Sequence, residues 1–119
     1  MMMKEFVYEQ SGVVEKGMEL GKPIGFPTAN IHFDQPNISG TYAGLVWVGE
    51  REYRAAVYAN QGRQLLEAHL FGFSGDLYGE EIRITLLAKV AEAAEFTSET
   101  DAREFITQVV QKVKDYFQI

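Results

Sequence analysis

The stretch Thr41-Tyr-Ala-Gly-Leu-Val-Trp-Val48-Gly49-Glu50-Arg51-Glu-Tyr-Arg-Ala-Ala-Val57 decides the fold. β-Branched and aromatic residues fill both arms and a Gly-Glu pair separates them, which predicts two antiparallel strands joined by a tight glycine turn. Runs of strand length stand on either side, so that the set reads Phe6 to Val14, Ala29 to Phe33, Thr41 to Val48, Glu52 to Ala59, Leu65 to Phe71 and Glu81 to Val90. In the last of them Glu81-Ile82-Arg83-Ile84-Thr85-Leu86 alternates, placing Ile82, Ile84 and Leu86 on one buried face. Six short strands with glycine turns point to a sandwich or a barrel. All 11 glycines fall between Gly12 and Gly79, and the chain changes character near Phe96. Beyond that point Ser98 suits an N-cap with Asp101 in the first turn. Ala102, Phe105, Ile106, Val109, Val110, Val113 and Phe117 then recur at spacings of three and four, which predicts one amphipathic helix able to cover a sheet face or close a barrel end.

Composition bounds what such a protein does. At 119 residues the chain has room for one domain, read here as residues 1–119, and its 46% hydrophobic content supports a packed core. The absence of cysteine excludes disulfides, a thiolate nucleophile and Cys-ligated metal. Seventeen Asp and Glu against 11 Lys and Arg leave a net charge of −6, which disfavours nucleic acid and anionic membranes as partners. No signal peptide or membrane-spanning run is present in the sequence, so a cytoplasmic protein is expected. A monomer is the simpler expectation for a small barrel closed by its own helix.

Three segments carry candidate chemistry. Gly12, Gly17, Gly21 and Gly25 crowd one loop together with Lys16 and Lys22, and glycine lets backbone N–H groups approach a phosphate chain closely. Met18 follows Gly17 where a Walker A loop needs Lys, so the loop is of another kind, or simply a turn-rich connector. In Phe26-Pro27-Thr28-Ala29-Asn30, an extended chain projects Thr28 and Asn30 to the same side. Two neutral oxygens suit Mg²⁺, which completes its shell with water and substrate phosphates; the same residues also suit an Asx or Thr turn at a strand start. In Leu65-Leu66-Glu67-Ala68-His69-Leu70-Phe71, Glu67 and His69 share one face. Glu67 is a carboxylate in an apolar run, fit for a general base or for an edge-strand surface, and His69 reads as a hydrogen-bonded structural residue. With only His32 and His69 and no Cys, zinc is not expected. Gly72-Phe73-Ser74-Gly75-Asp76-Leu77-Tyr78-Gly79 is a compact turn, with Tyr78 expected as an anchor.

Taken in order, Gly12-x-Val-x-x-Gly17, Gly21-Lys-x-x-Gly25-Phe-Pro-Thr-Ala-Asn30-Ile, Gly40-x-Tyr-Ala43, Glu67-x-His-Leu and Phe73-x-Gly-Asp-Leu-Tyr-Gly79 resemble the riboflavin kinase family over residues 6 to 117. The resemblance implies a mainly β fold, a six-stranded antiparallel Greek-key barrel with a C-terminal α-helix, in the single-domain form lacking an FMN adenylyltransferase domain. It further implies Mg²⁺- and ATP-dependent phosphorylation of riboflavin to FMN, with Glu67 as the base. Thr28 and Asn30 would be the metal ligands, and Gly12, Gly17, Lys22, Gly25, Pro27 and Thr28 would lie about the nucleotide phosphates. Riboflavin, FMN, ATP and ADP would be the partners; the residues that hold the flavin ring are left open.

The chain departs from the family pattern in three places. Lys22 stands where Arg is common, keeping the charge but losing a bidentate fork. Only Arg63, Gln64, Leu65 and Leu66 separate Asn60-Gln61-Gly62 from Glu67, a shortened connection at the site entrance. Ala91, Ala93 and Glu95 occupy positions where charged residues near the flavin are usual. These departures define the alternative, a catalytically weak flavin- or nucleotide-binding module of the same fold.

Overall fold

The computed structural model describes residues 6–16 and 27–119. Among them the chain forms β1 (Tyr8–Val13), β2 (Ala29–His32), β3 (Gly40–Val48), β4 (Arg51–Asn60), β5 (Leu65–Leu70), β6 (Glu81–Ala91) and α1 (Glu99–Phe117). All pairings are antiparallel and the sheet runs β1-β6-β3-β4-β5-β2. Strands β3 to β5 follow one another as neighbours and β6 returns beside β3, which is a Greek key. In the deciding hairpin Val48 pairs with Arg51, so Gly49 and Glu50 alone make the reversal, and Gly49 takes the left-handed φ of 61° that the turn demands.

The two outer strands then meet and nearly close the barrel. Glu15 N donates to the Asn30 carbonyl at 2.7 Å, and the Gln10 side-chain amide donates to the His32 carbonyl. Gly12 lies at this seam, where a Cβ would stand 3.1 Å from Cβ of Ile31, so any larger residue presses β1 away from β2. Inside, Ile31, Phe33, Val46, Val57, Leu66, Ile82, Ile84 and Leu86 are fully buried or nearly so, each contributing about 1.5–3 kcal/mol by leaving water. The alternation of β6 is thus realised as the sequence predicts.

Helix α1 packs on the outside of the sheet. Ala43 and Ala56 face each other across β3 and β4, and their small side chains let Val110 and Val113 approach, with Phe71, Val90, Ile106 and Phe117 around them. Arg54 lies over the Phe117 ring at 5.6 Å and Lys114 over Phe71 at 5.6 Å, each capping the apolar contact with a cation. Ser98 Oγ accepts from Asp101 N at 3.1 Å, and Glu99 and Asp101 in the first turn and Lys114 in the last complement the helix dipole.

Candidate active site

Strand register assembles the candidate residues. Glu15 bridges to Asn30, Asn30 pairs with Glu67, Glu67 with Tyr58, Tyr58 with Thr41, and Thr41 with Ala91. Directly opposed residues of antiparallel strands point to the same face. Because Ile31, Leu66, Val57 and Tyr42 turn into the core, this row lies on the outside of the barrel. It runs beside the layer that carries α1.

Glu67 is half-buried in that row. Asn60 Nδ2 donates to Glu67 Oε2 at 3.0 Å, and Asn60 Oδ1 accepts from Arg63 N at 3.1 Å, so the amide is fixed at both ends. Burial pushes the Glu67 carboxyl above its ordinary range, while the Asn60 hydrogen bond and the Arg63 charge pull the other way and offset only part of it. The short β4–β5 turn beneath is tied down. The Gln61 amide donates to the carbonyls of Pro36 and Ile38 at 2.6 and 2.8 Å, and Gln64 adopts a left-handed φ of 57°.

Thr28 and Asn30 come together on one side, as their spacing predicts. Thr28 Oγ1 donates to Asn30 Oδ1 at 2.8 Å, a bond between side chains rather than a turn closed onto backbone. Two oxygens at this separation fit neighbouring corners of an Mg²⁺ octahedron, whose edge is about 2.9 Å for bonds of about 2.05 Å. Among the described residues no three His, Cys, Asp or Glu side chains converge on a metal-sized site. Asn30 is only 5% exposed and is held in place by its strand.

A cavity of about 670 Å³ opens on the other side of the pair. Its apolar wall includes Val14, Ala29, Ala68, Leu70 and Leu77, and its polar rim includes Lys16, Thr28, Asn30, His69 and Asp76. His69 shares the face of Glu67, and because a carbonyl can only accept, its Nδ1 donates to Pro27 O at 3.0 Å. That bond ties the backbone leading into Thr28 to β5. In the turn after β5, Asp76 Oδ1 accepts from Tyr78 N at 2.9 Å. Tyr78 is 61% exposed at the rim, so the anchor expected of it is instead Leu77, 8% exposed, with Phe73 edge-on to Tyr53 at 5.3 Å.

Of the proposed phosphate-side residues, Pro27 and Thr28 line the cavity, Gly12 sits at the barrel seam away from that lining, and Gly17, Lys22 and Gly25 lie outside the described residues. The structure adds Asn60 and Tyr58. Both stand outward in β4, alternating with inward Val57 and Ala59, an alternation legible in Val57-Tyr58-Ala59-Asn60. The Ala91–Glu95 segment also reaches this face: Ala91 pairs with Thr41, and the Glu95 carboxylate acts on the Tyr58 phenol.

Comparison with known proteins agrees with this architecture. The family model Flavokinase, riboflavin kinase, matches residues 4–117, and the chain belongs to the riboflavin kinase family. A bifunctional riboflavin kinase/FMN adenylyltransferase of Haemophilus influenzae is 37% identical over 120 residues, covering 92% of this chain and 39% of that protein. An RNA-binding riboflavin kinase of Bacillus subtilis is 34% identical over 110 residues, covering 86% of this chain and 46% of that one. The chain thus spans less than half the length of these curated relatives. The crystal structure of riboflavin kinase from Trypanosoma brucei superposes with a TM-score of 0.67 at 24% identity, covering 92% of this chain and 76% of the other, which shows the shared fold. Among the described residues no helix is long and apolar enough to cross a membrane.

Proposed function

We propose that the chain transfers the γ-phosphoryl group of ATP to the terminal ribityl hydroxyl of riboflavin, forming FMN and ADP. One observation carries the reading: Asn30 lines the cavity and is also the cross-strand partner of Glu67, so the cavity and the carboxylate meet at a single residue. The nucleotide occupies the cavity and the flavin approaches along the outer row. Glu67 accepts the hydroxyl proton as the oxygen bonds to the γ-phosphorus and the bond to the bridging oxygen of ADP breaks. Its raised proton affinity suits it to hold that proton, and Asn60 holds the carboxylate by Oε2, leaving Oε1 to receive it.

Thr28 and Asn30 would hold Mg²⁺ together with the nucleotide, and the ion would supply neutralisation of the phosphate charge. Pro27, with its carbonyl held by His69, sets the entry of that segment, and Gly17, Lys22 and Gly25 surround the phosphates. Gly12 serves the phosphate side by keeping β1 close to β2. Residues 1–119 act as one domain, a cytoplasmic monomer whose partners are the flavin and the nucleotide, the net charge of −6 turning nucleic acid and membranes away.

The test is incubation with Mg-ATP and riboflavin and chromatographic resolution of the flavins. FMN formation supports the reading. Binding of both ligands without turnover supports the weak-binding module, a reading that rests on Ala91, Ala93 and Glu95 standing where the family pattern has other residues. Binding of neither ligand removes both.

A further inference from the structure

Tyr58 stands in the outer row directly opposite Glu67 on one side and Thr41 on the other. Opposed Cβ atoms of such pairs are about 4.5–5.5 Å apart, so the phenol and the carboxylate rise from the same patch of surface. The Glu67 carboxylate already accepts from Asn60, and Tyr58 is half-buried with its hydroxyl making no hydrogen bond to another described residue. A donor and an acceptor are thus presented side by side, the donor unused among the described residues. That pairing matches two adjacent hydroxyls of a polyol, one giving its proton to a carboxylate and its neighbour accepting from a phenol.

Resting on the function proposed above, we propose that the Tyr58 hydroxyl donates to the ribityl hydroxyl adjacent to the one that is phosphorylated, making Tyr58 a specificity-determining residue for the acceptor. The electrostatic setting agrees. Burial first, then the carboxylates of Glu67 and Glu95, push the phenol above its ordinary range, so it stays protonated and available as a donor. The same contact orients the polyol tail, because a chain held at two neighbouring oxygens presents the terminal one to Glu67 in one rotamer.

The experiment compares riboflavin with its analogue lacking the hydroxyl next to the terminal one, using wild type, Tyr58→Phe and Tyr58→Leu at saturating Mg-ATP. Wild type is expected to favour riboflavin about 3- to 10-fold in kcat/KM, the scale of one neutral hydrogen bond. Tyr58→Phe is expected to lose that preference, with KM for Mg-ATP unchanged. If Tyr58→Phe keeps the wild-type preference, the proposal is overturned. If Tyr58→Phe behaves as wild type on both acceptors while Tyr58→Leu is impaired, the ring rather than the hydroxyl acts, and the proposal is likewise overturned. Failure of wild type to form FMN from riboflavin strikes the underlying function instead, and is read before any variant is compared.

Discussion

Ala56 and Tyr58 are two residues apart on the outer face of β4, and their surroundings diverge completely. Ala56 faces Ala43 across the strands, and this small pair makes a shelf on which Val110 and Val113 of α1 sit. Tyr58 faces Thr41 on one side and Glu67 on the other, in a polar row that ends at Asn30 and Glu15. One layer of the same sheet serves stability and the adjoining layer holds the candidate chemistry. The two are set apart by side-chain size and polarity alone, since the backbone ladder runs through both. A carboxylate such as Glu67 is tolerated beside a core only where some of it is hydrogen-bonded, and Asn60 supplies that bond at 3.0 Å.

Substitutions in the two layers should separate. The largest effect belongs to Glu67→Gln, which keeps the shape and removes the basicity: FMN formation should fall about 10²–10⁴-fold, as expected for loss of a positioned base, with riboflavin and ADP binding retained. Near-normal initial rates in that variant would make Glu67 structural. In the alanine layer, Val113→Ala should lower unfolding free energy by about 1.5–3 kcal/mol in a denaturant titration and leave Mg-ADP affinity unchanged in the folded protein. A changed affinity there would mean that the layers are coupled. Asn30→Ala should weaken ADP binding about tenfold when Mg²⁺ is present and little when it is chelated, read by calorimetry. The smallest effect is a gain: Gln64→Gly should stabilise by about 0.5–1 kcal/mol, since φ of 57° strains any residue with a Cβ.

The barrel and helix were legible because their signals are local. Val48-Gly49-Glu50-Arg51 encodes its own turn, Glu81 to Leu86 its own alternation, and Ser98 its own cap. Thr28 and Asn30 were readable as a same-side pair from their two-residue spacing, and Glu67 as a carboxylate in an apolar run. Their meeting was not, because Asn30 opposes Glu67 only through the β2–β5 pairing of segments far apart in sequence. Asn60 escaped for the same reason, its partner lying across the β4–β5 turn. Tyr78 was misplaced because Asp76 caps its backbone N–H and the turn carries Leu77 inward, leaving the larger ring outside. Lys22, between Gly17 and Gly25, falls outside the described residues.

Burial holds Glu67 where its ionisation is disfavoured and its proton affinity is raised. With its folded pKa raised above the ordinary 4.5, the folded state holds a proton that the unfolded chain has released, so stability falls as pH rises through that window and levels off above the folded pKa. Glutamine removes this term. Denaturant unfolding of wild type and Glu67→Gln side by side from about pH 4 to pH 8 tests it directly. The variant is expected to gain stability relative to wild type as pH climbs past the ordinary carboxylate range, whatever the difference between the two at pH 4, and the gain should reach a plateau; a wild type that gains stability relative to the variant over the same range would contradict it.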